Sequence, residues 1–424
     1  MSSSASRSVV SRLLRPSPSS DSAPETKSLF SPEFVRLLLV QFLFGLSFST
    51  FLLLPKFLRL ELHASASEIG RVSASGTIVA AAFAPFVGGL VRRMARRKVL
   101  AVALAAEALG AFAMCTVHQT GPLLYVYRGL QGAAWVMVFN VTATWAADLA
   151  PEGRMAQSIG YLGGAMLITN AIAPGVAEPL AHRFGYPPVF AGAGLLVAAS
   201  SLMLLSLKEP RVVQATQDDQ PGITGPFLGG RVVAVLYCSL LLGAGIGSMF
   251  TYVQPFAIER GTQLVGPFFF GYVASAIFVR TALSGLPDRV GAVRVAVAAF
   301  GLYALTVALT GYLDPSLLVV YGIGLGTSHG FGYPALTAAG FNTVGKAGRN
   351  QFMSWYTFTF NVGYALTVLT LGPVVDTYGY TPLFVAVGLS ISTGALALLY
   401  AFRSTSLARS SLAASPTPSC SEGG

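Results

Sequence analysis

Residues 232–258 read VVAVLYCSLLLGAGIGSMFTYVQPFAI, twenty-seven positions without an Asp, Glu, Lys or Arg. About 20 helical residues span the roughly 30 Å hydrocarbon core of a bilayer, so this stretch predicts a membrane-spanning helix. Other charge-free runs lie at 37–55, 72–91, 129–147, 155–177, 184–207, 261–279, 295–313, 315–345, 350–375 and 377–402. A further run, 99–127, is broken only by Glu107. The sequence therefore predicts an all-α membrane protein with twelve transmembrane helices.

The composition leaves no room for a soluble fold. Hydrophobic residues make up 53% of the chain, charged residues only 10%, and the mean hydropathy is +0.64. Such values are typical of proteins that lipid and neighbouring helices bury. Cys115, Cys238 and Cys420 fall in separate segments, a pattern that favours neither a disulfide framework nor a metal site. No cofactor is expected.

The positive charge predicts how the chain sits in the membrane. With both termini inside, 20 of the 27 Lys and Arg residues fall on the inner side and 5 on the outer side. This bias predicts a multi-pass protein of the plasma (inner) membrane with both termini cytoplasmic. Because the basic residues are dispersed over several loops, nucleic acid is not an expected partner despite the net charge of +10.

The second half of the chain repeats the first. Turn residues 184–186 (FGY) and 378–380 (YGY) lie 194 positions apart, and so do Gly132 and Gly326. Parallel six-helix repeats are typical of transporters that bind their solute between the halves, near the membrane midplane. We predict six-helix bundles at 34–207 and 231–402, a cytoplasmic linker at 208–230, and disordered cytoplasmic tails at 1–33 and 403–424.

Two motifs carry a family resemblance. Residues 284–291 read SGLPDRVG and residues 127–132 read YRGLQG. They resemble the G-x-L-x-D-R-x-G loop and the R-x-x-Q-G helix of the major facilitator superfamily, in particular its proton-coupled permeases of the drug-efflux and arabinose-efflux type. The resemblance covers nearly all of 34–402. It implies two pseudo-symmetric six-helix bundles, rocker-switch alternating access, a small-molecule substrate, protons as the coupling ion and a monomer.

The same resemblance implies a gate on the cytoplasmic side. In the family, the Asp of the loop pairs with charges and helix ends across the bundles, as a carboxylate can do well. In the first half Arg92 stands where the family has Asp, so we expect the working latch in the second half. The alternative is a basic loop that only sets topology, with Arg280 extending towards the inner surface. The gating residues implied are Asp288, Arg289, Gly291, Arg280 and Arg93.

Few ionisable residues reach the membrane interior, and those that do are candidates for proton coupling. The resemblance implies that Arg128 tunes a nearby acid, whereas its structural alternative is an Arg bonded to carbonyls. Glu107 is the most deeply placed acid; it could instead face lipid near the inner half or pair with a polar neighbour. Glu178 could form a rim pair with His182, four residues on, and His329 could be a packing residue.

A central cavity should be lined by polar and aromatic residues of helices 1, 4, 5, 7, 10 and 11. Amides orient a ligand through hydrogen bonds and aromatic rings supply contact area. Each candidate taken alone fits a packing role better than a ligand contact, but as a set they predict a mostly uncharged cavity for an amphipathic or neutral solute. The candidates are Gln41, Phe48, Gln131, Asn140, Asn170, Tyr252, Gln254, Trp355, Tyr356, Asn361 and Tyr364.

These observations favour a secondary transporter that exports a small organic solute by proton antiport. The partial match of Ala173-Pro174-Gly175 to the G-P pattern of antiporter branches favours export only mildly. Proton-coupled or facilitated uptake is the alternative within transport, and a membrane-embedded sensor is the alternative of another class. No nucleotide loop or zinc-protease motif is present, so no enzyme is expected.

Overall fold

The computed structural model describes residues 29–151, 154–208, 229–262 and 264–413. The predicted tail segments 1–28 and 414–424, and most of the predicted linker, lie outside these residues. The first bundle contains α1 (Pro32–Thr50, continued by a 3-10 turn Phe51–Leu53 and a helical segment Leu54–Leu60), α2 (Ala66–Arg93), α3 (Arg96–Met114), α4 (Pro122–Leu149), α5 (Met155–Phe184) and α6 (Tyr186–Leu205).

The second bundle repeats this order. It contains α7 (Gly230–Glu259), α8 (Gly266–Ala282), a short helix Leu286–Val290, α9 (Ala292–Thr310), α10 (318–344), α11 (346–378) and α12 (Tyr380–Ala413). Only Gly345 separates α10 from α11, and its φ of 70° breaks what is otherwise one helical run, Leu318–Tyr378. The all-α fold with twelve long helices is confirmed, and eight of the described helices are long and apolar enough to cross a membrane.

Two boundaries differ from the prediction. The run 99–127 is not one helix, because α3 ends at Met114 and α4 begins at Pro122. The turn between them is polar without being charged (HQTG at 118–121), so counting charges alone missed it. At α1, the helical continuation Leu54–Leu60 carries Lys56 and Arg59 beyond the predicted end at 55. Lys56 is one of the five basic residues counted on the outer side from the sequence, but it is only 5% exposed.

Equivalent helices of the two bundles pack in the same way. A Cβ built on Gly132 of α4 would lie 2.0 Å from the carbonyl oxygen of Gly76 of α2. A Cβ built on Gly326 of α10 would lie 2.1 Å from the carbonyl oxygen of Tyr272 of α8. Glycine permits this backbone contact, since any other side chain would separate the helices. The structural equivalence falls at the 194-residue spacing seen in the sequence.

The bundles meet mainly through two helix pairs, α2 with α11 and α5 with α8, and α7 adds smaller contacts with α2 and with the helical continuation of α1. Every hydrogen bond and ion pair that the structure describes between the bundles lies at one end, where α1 turns into α2, α7 into α8 and α11 into α12. We call it the closed end. At the opposite end, the segment between α8 and α9 makes no described side-chain bond to the first bundle. On the predicted topology the closed end faces outwards.

Candidate functional site

A buried chain of three polar side chains runs from α3 to the centre of the protein. Gln131 Nε2 donates to Glu107 Oε1 at 3.4 Å, and Arg128 donates from NH1 to Gln131 Oε1 at 2.8 Å. Glu107 and Gln131 have no exposed surface, so the lipid-facing alternative for Glu107 is wrong. Glu107 Oε2 and Arg128 Nε have no hydrogen-bond partner among the described residues. One amide therefore links an acid to a cation, and one oxygen of the acid stays open to a proton.

Small residues on the neighbouring helices make room for this chain. A Cβ on Gly110 of α3 would lie 3.0 Å from Gln131 Cγ, and one on Gly76 of α2 would lie 3.2 Å from the Arg128 carbonyl oxygen and 3.4 Å from its NH2. Any larger side chain would push the amide or the guanidinium aside. The sequence offered no signal for these two glycines, because their importance depends on residues of another helix.

Arg128 also faces the second bundle. Its guanidinium lies within electrostatic range of Tyr364 of α11, and Tyr364 packs on Gly247 of α7. The half-buried Arg128 therefore lies between Glu107 of the first bundle, to which Gln131 links it, and Tyr364 of the second bundle. Of the predicted cavity residues, Gln131 and Tyr364 are the two that the structure brings next to Arg128.

Stacked aromatic rings continue along the same face of α4. Trp135 and Phe139 lie seven and eleven positions after Arg128, which places them on one side of the helix. Phe48 of α1 stacks on Trp135 (centroids 6.3 Å apart), and Trp135 stacks on Phe139 (5.5 Å, interplanar angle 12°). We call the stack of Phe48, Trp135 and Phe139 the aromatic wall. The Phe139 side chain is 45% exposed, so the wall ends in an accessible ring. Phe48 was predicted; Trp135 and Phe139 were missed, although their spacing from Arg128 could have revealed them.

An aromatic network in the second bundle holds His329. The Tyr272 hydroxyl is 2.9 Å from His329 Nδ1, and Tyr333 packs edge-on against the imidazole. Tyr333 also meets Tyr356, with ring centroids 5.3 Å apart. Tyr356 is fully buried, and no described residue hydrogen-bonds its hydroxyl. The network joins α8, α10 and α11 within the second bundle.

Most other predicted cavity residues bond within the protein. Gln41 accepts from Thr142 at 2.9 Å between α1 and α4, and Asn170 accepts from Ser49 at 2.8 Å between α5 and α1. These contacts support packing in this conformation. The rest of the set behaves similarly: Asn140 and Asn361 donate to carbonyls of their own helices, Trp355 packs on Phe358, Tyr252 donates to Val368, and Gln254 donates to Leu52.

Glu178 is not paired with His182. Its Oε1 lies 2.6 Å from Lys56 Nζ, and the two residues are 3% and 5% exposed. The same carboxylate accepts from the backbone N–H groups of Val265 at 2.8 Å and Gly266 at 2.7 Å. The predicted rim pair is wrong because the partners come from α1 and α8, far away in sequence, and not from the next helical turn.

The predicted gating loop is unengaged. Asp288 and Arg289 are exposed, and neither side chain has a hydrogen bond or ion pair with a described residue. Gly291, with φ of 106°, ends the short helix, and Arg280 and Arg93 are also exposed. The side chain of Arg92 lies outside the described part. In the first bundle, Arg96 instead pairs with Asp148, at the matching end of α3 and α4.

Comparison with known proteins identifies the family of this chain. Residues 37–368 match the family described as Major Facilitator Superfamily. Multidrug resistance protein 1 of Bacillus subtilis (strain 168) is 24% identical over 222 residues, 52% of this chain and 54% of that protein. The match thus spans about half the length of that relative.

Two solved transporters share the fold. The nucleoside transporter NupG is 17% identical with a TM-score of 0.75, over 88% of this chain and 100% of that one. The POT family transporter PepTSo is 10% identical with a TM-score of 0.68, over 91% of this chain and 99% of that one. At these identities the likeness concerns the fold alone.

Proposed function

The chain belongs to the Major Facilitator Superfamily, and we propose that it exports a small amphipathic organic solute in exchange for protons. It is a multi-pass membrane transporter and not an enzyme. Export, antiport, the rocker-switch motion, a monomeric state and an inner-membrane location with cytoplasmic termini are parts of the proposal.

The Glu107–Gln131–Arg128 chain carries the proposal. With Glu107 ionised, its charge balances that of Arg128 through Gln131. A proton on Glu107 cancels one of the two charges and leaves Arg128 as an unpaired cation at the edge of the centre. Covering an unpaired cation with an apolar solute is costly. Proton and solute therefore oppose each other at this site, which is the condition for exchange.

The aromatic wall supports an amphipathic solute. Phe48, Trp135 and Phe139 offer stacked ring surface on the side of α4 that also carries Arg128. Ring surface with few charges suits a molecule that is largely apolar. The relative from Bacillus subtilis is named a multidrug resistance protein, which favours export; that name describes the relative and covers a match to about half of it.

The test uses inverted membrane vesicles with a respiration-driven, acidic interior and a quenched pH dye. A panel of amphipathic aromatic solutes is added to wild type, Arg128→Ala, and the matched control Arg71→Ala, which alters an exposed Arg of α2. We expect dye recovery with at least one solute in wild type and in the control, and none in Arg128→Ala. Radiolabelled solute that crosses without dye recovery would overturn antiport in favour of uptake or facilitated diffusion.

A further inference from the structure

Glu178 is a clamp between the bundles at the closed end. It belongs to α5, yet it accepts the N–H groups of Val265, the residue before α8, and of Gly266, the first residue of α8. A carboxylate at a helix N-terminus meets unbonded N–H donors and the positive end of the helix dipole. Glycine at 266 allows the approach, because a Cβ there would lie 2.9 Å from Glu178 Oε2.

Asp376 is a second clamp, built with the bundles exchanged. It belongs to α11 and accepts the N–H of Ala66 at 2.7 Å and that of Ser67 at 3.0 Å, in the first turn of α2. The Ser67 hydroxyl donates to the same carboxylate. In the repeat of six helices, α11 corresponds to α5 and α8 corresponds to α2. Each bundle thus contributes one carboxylate and one helix N-terminus.

We propose that Glu178 and Asp376 are the paired latches of the closed end, positioning residues that hold the bundles together here and release for the opposite conformation. Charge-assisted hydrogen bonds to backbone N–H groups are among the stronger ones in proteins, and here they join separate bundles. The inference rests on alternating access, which the proposed function assumes, and not on the direction of transport or on proton coupling.

The two latches differ in what each carboxylate contacts after the closed end opens. Asp376 is exposed, so water can replace the amides of α2. Glu178 is buried, and a buried carboxylate without a partner is strongly unfavourable. Lys56 lies in the same bundle as Glu178 and can stay 2.6 Å away when α8 departs. Lys56 therefore stabilises the open state more than the closed one, in which Glu178 also has two amide donors.

Because of this difference, substitutions of the two carboxylates and of Lys56 should change the ratio of open to closed end in opposite directions. Glu178→Gln and Asp376→Asn remove the charge that holds a helix N-terminus, so each should raise the ratio of open to closed end about tenfold, as expected for charged hydrogen bonds. Lys56→Gln should lower that ratio, because the opened Glu178 loses its remaining partner. Glu61→Gln, an exposed acid at the same end, is the matched control.

The experiment is double electron–electron resonance on the full chain in lipid nanodiscs, with the native cysteines replaced by serine. Spin labels at Arg183 and Leu264 report on α5 and α8, and labels at His63 and Tyr378 report on α2 and α11; all four are exposed. We expect a longer-distance population that grows in Glu178→Gln and Asp376→Asn and shrinks in Lys56→Gln.

Unchanged distances in both carboxylate variants, or a shift of Lys56→Gln in the same direction as Glu178→Gln, would overturn the proposal. Size-exclusion profiles and melting temperatures identify variants that fail to fold. Because the distances are measured without solute or gradient, the latches can be confirmed while the vesicle assay contradicts proton exchange, and the reverse.

Discussion

The Tyr252 hydroxyl donates to the carbonyl oxygen of Val368 at 2.6 Å, which fixes α7 against α11. The same carbonyl oxygen would lie 2.1 Å from a Cβ built on Gly70 of α2. Three helices, one of them from the other bundle, therefore converge on a single carbonyl group. This junction lies between the latch at Asp376 and the chain that begins at Glu107.

Gly70→Ala should destabilise the folded protein. The added methyl group cannot fit beside a backbone oxygen, so α2 must move away from α11, at about 1–3 kcal/mol for overpacking. We expect a lower melting temperature in detergent, measured as loss of the main size-exclusion peak after heating. Gly163→Ala on α5, where a Cβ would meet nothing within 4 Å, is the control. Equal melting of both variants would contradict the packing described.

Glu107→Gln should separate solute movement from proton movement. The amide keeps the shape and the contact with Gln131 but cannot exchange a proton, so solute counterflow should persist while uphill transport driven by a pH gradient is lost. Both are measured in proteoliposomes with radiolabelled solute, against Glu61→Gln. Uphill transport equal to that of wild type would remove Glu107 from the mechanism.

Trp135→Ala should weaken solute binding about tenfold or more, because it removes the middle ring of the aromatic wall. Trp135→Phe should fall between wild type and the alanine variant. Affinity is measured by competition in the vesicle assay. Phe270→Ala serves as the control, since this ring on α8 is 65% exposed and distant in the fold from the wall. An affinity unaffected by Trp135→Ala would exclude the wall as the solute site.

Asp288→Asn should increase access to the end opposite the latches. The resemblance gives this Asp the task of closing that end, and in the present conformation it is unengaged, so its loss should favour the state seen here. A cysteine at Leu90, in the groove along α2, is labelled with an impermeant maleimide in inverted vesicles. Faster labelling is expected in Asp288→Asn and not in Asp314→Asn, which alters an exposed acid at the closed end. Identical rates in both variants would count against an Asp288 latch.

Helix positions were largely predictable because bilayer thickness sets a minimum length for charge-free runs. The two exceptions have local causes. The turn after α3 contains no charged residue, so the charge pattern does not show where that helix ends. The helical segment that begins at Leu54 continues α1 and places Lys56 in the interior. The repeat was equally readable, since the packing of Gly132 and of Gly326 depends on residue size at equivalent positions.

Contacts between distant segments were not predictable from spacing. Helical spacing predicts His182, one turn further on, as the partner of Glu178, whereas the actual partners are Lys56 and the amides of Val265 and Gly266. No role for Asp376 could be predicted from the sequence, because its partners are the first amides of α2, which are distant in sequence. Gly76 and Gly110 were missed for the same reason.

The latches also affect how related sequences should be interpreted. Glu178 and Asp376 bind main-chain amides, and every residue except proline supplies an amide at 265, 66 or 67. Pairwise covariation, which detects compensating side chains, should therefore find no partner for either acid at 265 or 66, whereas the Ser67 hydroxyl and the missing side chain of Gly266 do depend on residue type. The amide contacts at 265 and 66 join the two bundles without a covariation signal, so contact maps inferred from coevolution would underestimate how firmly this end is held.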